Sequence, residues 1–196
     1  MVPGFSANLL ASAKRGESNS AMNLKELHLG STSFCVFDIE TTGLSAHQHE
    51  ITEIAAIRVR EGFEIEEEFQ CLVRIGGRVP WHITQITGID DRMLLAQGKE
   101  LPEVLKQVHE FSCGRLAFAH NARFDRSFLN AAAQRLGWKD EFALECSIPV
   151  FKRLLPGRRG YGLGAVADCL RVRSGVAHRA LADCRMLLDC LKRAHG

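Results

Sequence analysis

Two acidic residues, Asp38 and Glu40, end an otherwise apolar run, FCVFDIE. Because side chains alternate between the two faces of a β-strand, the two carboxylates project from one face, about 6 to 7 Å apart. Two like charges at this distance repel each other, most strongly where burial removes water, unless a cation lies between them. The pair indicates a cation site, although a single Asp-x-Glu more often marks a strand that ends at the surface.

Two further acids interrupt helical apolar stripes. Asp183 occupies one position of a stripe that continues through Leu187 and Leu191, and Asp125 lies on a second such stripe with Phe128. An ionised carboxylate on a core-facing stripe is unfavourable unless a partner such as a metal ion neutralises it. Each acid has an alternative explanation, because the helix dipole favours a carboxylate in the first turn.

One carboxylate cluster explains all four acids, whereas the alternative explanations must hold separately for each element. Oxygen ligands suit Mg²⁺ or Mn²⁺, and two such ions about 3.5 to 4 Å apart can clamp the attacking and leaving oxygens of a phosphodiester. His178 precedes Asp183 by five residues. Histidine titrates in the neutral range and can deprotonate an attacking water, although a lone histidine is more often a surface or capping residue.

The elements that must position these residues follow from the periodicity. Between residues 34 and 73 three segments alternate like strands, and their short links favour antiparallel neighbours. The segment LPEVLKQVHEFSCG then predicts a helix, and LAFA a strand. Further helices are predicted at 123–136, 147–154, 162–170 and 179–194, with a short strand at 142–144. This order indicates an α/β sandwich around a mixed sheet.

Length and composition fit one globular domain. The chain has 196 residues, of which 46% are hydrophobic, enough to fill a single core. We expect a flexible leader over residues 1–22 and one globular domain over 23–196, with an export or organellar signal as the weaker alternative for the leader. No run approaches the roughly 20 apolar residues that would span a bilayer.

Charge and cysteine content narrow the class of protein further. A net charge of +2 does not by itself indicate a nucleic-acid binder, so any such role must depend on local charge. The seven cysteines form no CxxC pair, and most lie in apolar runs such as FCVFDIE and LLDCL. This pattern is typical of buried, reduced thiols in a cytoplasmic protein rather than of disulfides or a zinc site.

Three segments, FDIETTGL, HNARFDRSFL and HRALADC, resemble in order the three motifs of the DEDDh exonuclease family, which includes the proofreading subunit of the bacterial replicative DNA polymerase and RNase T. The resemblance implies a ribonuclease H-like three-layer sandwich, with a mixed five-stranded sheet flanked by helices. It also implies 3′-to-5′ hydrolysis that releases nucleoside 5′-monophosphates from single-stranded DNA or RNA. It makes Asp38, Glu40, Asp125 and Asp183 the ligands of two Mg²⁺ or Mn²⁺ ions, and His178 the general base.

The same resemblance implies contacts to the 3′-terminal nucleotides. Leu44 and Phe124 would pack against bases, since every base offers a π-face irrespective of sequence, but core packing explains both residues equally well. Asn121 is also expected to cap the helix that follows it. The implied substrate residues are Thr41, Gly43, Leu44, Ile86, Thr87, Asn121 and Phe124.

A basic segment, residues 152–179, is expected to contact the phosphate backbone. It carries seven lysines and arginines against the single acid Asp168, and its loop PGRRGYG contains Arg158 and Arg159. Replacing both loop arginines should weaken oligonucleotide binding and flatten its salt dependence. A solvated surface is the more common reason for such a run of charge.

Two other functions compete with a DNA exonuclease. An exoribonuclease that trims RNA 3′ ends would share the metal chemistry and differ in its contacts to 2′-hydroxyls. A non-catalytic module that binds nucleic-acid ends or a polymerase would be expected to lack an acid or the histidine, whereas all five are present. The sequence stops at Gly196, so we expect no dedicated polymerase-binding tail, and no motif indicates an oligomeric state.

Overall fold

The computed structural model describes residues 29–139, 141–173 and 178–195. The predicted leader, residues 1–22, lies outside these ranges. Within them, no helix is both long enough and apolar enough to cross a membrane. The seven cysteines are free thiols, and four of them are buried as predicted, but Cys113 is exposed because it follows the last turn of a surface helix.

A mixed five-stranded sheet forms the centre of the molecule. Its strands are β1 (Phe34–Thr41), β2 (Ile51–Arg60), β3 (Glu64–Leu72), β4 (Leu116–Ala119) and β5 (Glu145–Cys146). They lie in the order β3-β2-β1-β4-β5, with β1 antiparallel to β2, β2 antiparallel to β3, and β4 parallel to both β1 and β5. The predicted mixed sheet is confirmed, including the antiparallel pairing of its first three strands.

The position of the last strand was predicted wrongly. The sequence placed it at residues 142–144, whereas β5 consists of Glu145–Cys146 and pairs with Phe118 and Ala119 of β4. Phe142 is buried, but its backbone N–H donates to Oδ1 of Asn130 at 2.7 Å instead of to a neighbouring strand. Apolar residues can thus enter the core from a loop when a side chain satisfies their backbone groups.

Seven α-helices flank the sheet in the described part of the chain. They are α1 (Trp81–Thr87), α2 (Asp91–Gln97), α3 (Leu101–Ser112), α4 (Arg123–Arg135), α5 (Ser147–Leu154), α6 (Leu163–Leu170) and α7 (Ala180–His195). The last five match the predicted helices to within two residues at each end. Residues 81–97, where the sequence analysis placed no helix, form α1 and α2. Gly88 ends the first at φ 70°, and the Asp90 side chain caps the second by accepting from Met93 N at 2.7 Å.

Each face of the sheet packs against its own set of helices. On β1, Phe37 and Ile39 join the core formed with α3 and α4, whereas Phe34 and Val36 join the core formed with α5, α6 and α7. Alternation along the strand therefore directs the two acids that end β1 toward α7. Cys184 of α7 confirms the close approach, since its Sγ lies 3.8 Å from the carbonyl oxygen of Val36.

Candidate functional site

Three of the predicted acids meet where β1 ends and α7 begins. Asp38 and Glu40 project from the strand, and Asp183 projects from the first turn of the helix that covers it. One carboxylate oxygen from each of the three lies within 4.8 Å of the other two. All three side chains are partly buried. The apolar stripe of α7 packs on the sheet and thereby places Asp183 beside β1, although the two are distant in sequence.

Asp125 approaches this group from α4, which packs on the other face of the sheet. It lies in the first turn of the helix and is only 2% exposed. It is not among the three residues whose oxygens share the 4.8 Å group, but its charge acts directly on Asp38. The backbone N–H of Ile39 faces its carboxylate. All four predicted acids therefore surround the end of β1.

Burial raises the pKa of each of these carboxyls, and the charges of neighbouring acids add to the rise for Asp38 and Glu40. Burial, followed by the charge of Asp125, holds the pKa of Asp38 well above its usual range. Burial and the charge of Asp183 raise the pKa of Glu40 to about 8. Burial raises the pKa of Asp125 to about 7, although two backbone N–H groups act in the opposite direction. Such an arrangement favours binding of a cation, which stabilises the ionised forms.

The donors identify the class of metal that would fit. Asp38, Glu40, Asp125 and Asp183 offer only carboxylate oxygens, and no described cysteine or histidine joins the three acids whose oxygens lie within 4.8 Å of one another. Hard divalent ions such as Mg²⁺ and Mn²⁺ prefer oxygen ligands. The residues present therefore fit these ions better than a soft metal.

His178 lies at the rim of the acidic group. It is exposed, and its backbone adopts the left-handed region with φ 65°. Burial raises the pKa of Asp183, but the imidazole and the backbone N–H of His178 both counteract that rise. The histidine is thus close enough to act on the cluster while remaining open to solvent.

Glu53 of β2 is a site residue that sequence reasoning missed. It is 0% exposed and lies opposite Glu40 in the β1–β2 register. Its carboxylate accepts hydrogen bonds from Arg179 Nε at 3.1 Å and Arg179 Nη2 at 2.7 Å. It also accepts from Ala180 N at 2.9 Å and Gln70 Nε2 at 2.8 Å. The available signal was a charged residue inside the apolar run ITEIAAI.

The loop after β1 presents Leu44 to solvent. Leu44 is 87% exposed, which excludes core packing as the reason for this residue. Thr41 Oγ1 donates to the carbonyl oxygen of Gly43 at 2.6 Å, and a Cβ added to Gly43 would lie 2.5 Å from the ring of His49. A side chain at position 43 would therefore require the His49 ring to move.

The other predicted base contacts differ in how accessible they are. Phe124 is partly buried and its ring lies 5.0 Å from that of Phe128, so it belongs to the core at one edge. Ile86 is 51% exposed. Thr87 is buried, and its hydroxyl donates to the carbonyl oxygen of Ile83 at 3.0 Å and accepts from Ile89 N at 3.1 Å. The hydroxyl of Thr87 is therefore already used in ending α1.

Asn121 is exposed but does not cap α4 as predicted. Its backbone has φ 61°, and the residue that precedes the helix is Ala122. Phe124 N donates to the carbonyl oxygen of Asn121 at 2.9 Å, so the main chain rather than the side chain satisfies the start of the helix. The side chain of Asn121 is exposed.

The structure divides the basic segment, residues 152–179, into separate surfaces. Arg158 and Arg159 are both exposed on the loop between α5 and α6, where Arg158 also contacts Cys169 Sγ. Arg171 and Arg173 line an open groove of about 580 Å³ near the C-terminal end of α7. Arg179 instead turns inward to Glu53. The segment therefore does not form one continuous basic face.

Comparison with known proteins identifies relatives across most of the chain. A family model described as exonuclease, of the RNase T type, matches residues 35–191. The DNA polymerase III subunit epsilon of Aquifex aeolicus is 32% identical over 158 residues, which cover 80% of this chain and 77% of that protein. The PolC-type DNA polymerase III of Caldanaerobacter subterraneus is 36% identical over 155 residues, 78% of this chain. The matched region is 11% of that polymerase, so this chain spans about a tenth of it.

Solved structures share the same fold. Exonuclease X in complex with 5′ overhanging duplex DNA matches with a TM-score of 0.63 and 24% identity, over 82% of this chain and 90% of that one. E. coli Exonuclease I in complex with a dA16 oligonucleotide matches with a TM-score of 0.72 and 18% identity, over 82% of this chain and 40% of that one. The predicted ribonuclease H-like sandwich is confirmed by these matches.

Proposed function

Because the chain belongs to the RNase T type exonuclease family, we propose that it removes nucleoside 5′-monophosphates from the 3′ end of single-stranded DNA. The observation that carries the proposal is the convergence of Asp38, Glu40 and Asp183, whose carboxylate oxygens lie within 4.8 Å. Three acids at this spacing repel one another unless a cation is bound. Divalent cations held by such a group of carboxylates can catalyse phosphodiester hydrolysis by stabilising the attacking and leaving oxygens.

The acids are the proposed ligands of two Mg²⁺ or Mn²⁺ ions, with Asp125 as the fourth carboxylate beside the group of three. When bound, the ions supply Lewis acidity that stabilises the charge developing on the phosphate. The protein holds the carboxylates on two helices and one strand, so they need little rearrangement on binding. Because the ligands come from three elements, folding and cation binding are coupled.

His178 is the proposed general base. Its exposed imidazole at the rim of the cluster can accept a proton from an attacking water and release it to solvent. Its imidazole and backbone N–H both act on Asp183, which supports a position of the histidine directly beside the proposed metal ligands.

The substrate strand is proposed to cross the surface next to the acids. Leu44 and Ile86 offer exposed apolar side chains to the terminal bases, and Phe124 offers the edge of a ring. Thr41, Gly43, Thr87 and Asn121 are proposed to shape the same surface, and Arg158 and Arg159 to contact phosphates farther along the strand. The names of the relatives favour DNA, since they are DNA polymerase subunits and an exonuclease solved with DNA.

Release of mononucleotides from 5′-labelled single-stranded DNA and RNA, with Mg²⁺ or Mn²⁺, tests the proposal. The wild type should shorten DNA from its 3′ end, and Asp38→Ala should abolish shortening while Asp168→Ala, an exposed acid on α6, should not. Faster shortening of RNA would make the protein an exoribonuclease. End binding without shortening of either polymer would make it a non-catalytic module.

Co-elution with a DNA polymerase III catalytic subunit tests the polymerase association that the relatives suggest.

A further inference from the structure

The buried carboxylate of Glu53 has a complete set of hydrogen-bond donors, although none of them belongs to the proposed reaction. The two guanidinium nitrogens of Arg179 approach its two oxygens at 2.7 and 3.1 Å, the two-point geometry that fixes an arginine most firmly. The backbone N–H of Ala180 and the side chain of Gln70 complete the set. A buried acid with four donors is held in one orientation.

The residues that Glu53 holds are those that flank the proposed general base. Arg179 directly follows His178, and Ala180 is the first residue of α7. Asp183 N donates to the carbonyl oxygen of Arg179 at 3.0 Å, so the same anchor continues into the turn that carries the acid. A displacement of Arg179 would therefore move the histidine and the start of α7 together.

The backbone conformation of His178 is one that neighbouring contacts must hold in place. Its backbone lies in the left-handed region, φ 65°, which is unfavourable for a residue with a Cβ and persists only when neighbouring contacts enforce it. The imidazole is exposed, and among the described residues no side-chain hydrogen bond to that ring is found. The contacts of the next two residues with Glu53 are therefore the constraint on this side of the histidine.

The charge of Glu53 bears on the acidic cluster, because Glu53 lies opposite Glu40 in the β1–β2 register. An unpaired carboxylate at this position would add to the repulsion within the acidic cluster. Arg179 neutralises it with a guanidinium that also faces Glu40. The pair can thus anchor α7 beside the cluster without adding net negative charge.

We propose that Glu53 and Arg179 are positioning residues that set the imidazole of His178 relative to the acidic cluster. The proposal rests on the function proposed above, in which His178 acts as the base. It assigns no contact between either residue and the substrate. A residue that acts through another should lose its effect once that other residue is removed.

The test compares Arg179→Gln with a matched control on the same helix. Arg185 of α7 pairs with Glu68 of β3 through two guanidinium nitrogens, but this pair is exposed and includes no sequence neighbour of His178. Arg179→Gln should lower kcat by about 10- to 100-fold with little change in KM, the usual range for groups that orient a reacting residue. Arg185→Gln should change neither, and Arg179→Lys should restore part of the rate.

A double variant separates positioning from general damage. Adding Arg179→Gln to His178→Ala should cause no further loss of kcat, because the residue through which Arg179 acts is already absent. Losses that multiply would overturn the proposal, since they would show that the arginine acts independently of the histidine. Rates are measured in single turnovers, so that the slow residual activity of His178→Ala can be followed.

An NMR measurement that needs neither bound metal nor catalytic activity completes the test. In the NMR spectrum of the metal-free protein, the ring signals of His178, assigned by their loss in His178→Ala, should move in Arg179→Gln and in Glu53→Gln but not in Arg185→Gln. Unchanged ring signals in folded Arg179→Gln protein would overturn the proposal. If the wild type degrades no nucleic acid, the proposed function fails, and the ring signals still decide whether the pair positions the histidine.

Discussion

Glu40 and Glu53 lie directly opposite each other on neighbouring antiparallel strands, yet of the two only Glu53 forms an ion pair with a cationic side chain of the described residues. Two like charges in this arrangement are normally unfavourable. Arg179 neutralises one of them, and no ion pair to Glu40 is found within the described residues. The carboxylate of Glu53 therefore holds α7, whereas the carboxylate of Glu40 remains available to bind a cation.

The metal-free protein should become less stable as the pH rises from about 5 to 8. The pKa of Glu40 is raised from 4.5 to about 8 and that of Asp125 from 3.8 to about 7. The folded state therefore binds more protons than the unfolded chain in this range, and the free energy of unfolding falls as those protons are lost. Urea unfolding in the presence of EDTA should show a decrease on the order of 2 to 6 kcal/mol, since each unit of pKa difference between the folded and unfolded states is worth about 1.4 kcal/mol.

Two controls bear on this pH dependence. Glu40→Gln removes one of the titrating groups and should make the decrease smaller. Millimolar Mg²⁺ or Mn²⁺ should raise stability mainly above pH 7, because bound cations favour the ionised carboxylates. A metal-free stability that rises steadily from pH 5 to 8 would show that the cluster is not protonated in the folded state.

Asp125→Asn should reduce activity without destabilising the metal-free protein. The side chain is buried and its ionised form is disfavoured there, so a neutral amide of similar shape should be tolerated. The loss of a proposed ligand should lower kcat by at least about 100-fold. Paired measurements of kcat and of the unfolding midpoint check this expectation. A large fall in stability with intact activity would assign Asp125 to the fold rather than to the site.

Leu44→Ala should lower kcat/KM for single-stranded DNA and leave the stability of the protein unchanged. The side chain is 87% exposed, so its removal opens no cavity. Loss of packing against a base should lower kcat/KM by roughly 10-fold, given about 1 to 3 kcal/mol per stacked base. Leu95→Ala, at an equally large exposed leucine on α2 that is 73% exposed, is the matched control. Equal effects of the two substitutions would exclude a specific role for Leu44.

Arg158→Ala combined with Arg159→Ala should lower affinity for single-stranded oligonucleotides and flatten its dependence on salt. Each phosphate contact that is lost should reduce the slope of log affinity against log salt by about 0.7 for a single strand. Fluorescence anisotropy at several salt concentrations measures both quantities. Lys192→Ala combined with Arg193→Ala removes the same charge from the groove at the far end of α7. An equal change in slope there would indicate a general charge effect.

Local sequence determined the elements and the acids that they carry. Alternation in FCVFDIE is a property of any strand, so Asp38 and Glu40 had to share a face. The helical period likewise placed Asp183 on the buried stripe of α7, which the structure confirms. These inferences needed only neighbouring residues, because strand and helix geometry repeats over a few positions.

Only the tertiary structure decided which residues meet. Arg179 and Glu53 are 126 positions apart, and nothing local to either residue specifies the other. The exposure of Leu44, the use of the Thr87 hydroxyl within α1, and the shift of β5 to Glu145–Cys146 depend in the same way on packing between elements. The chain sequence thus determined the chemistry that the protein carries, whereas the assembly of the sheet and α7 decided how that chemistry is positioned, because hydrogen bonds and burial between distant segments have no local period.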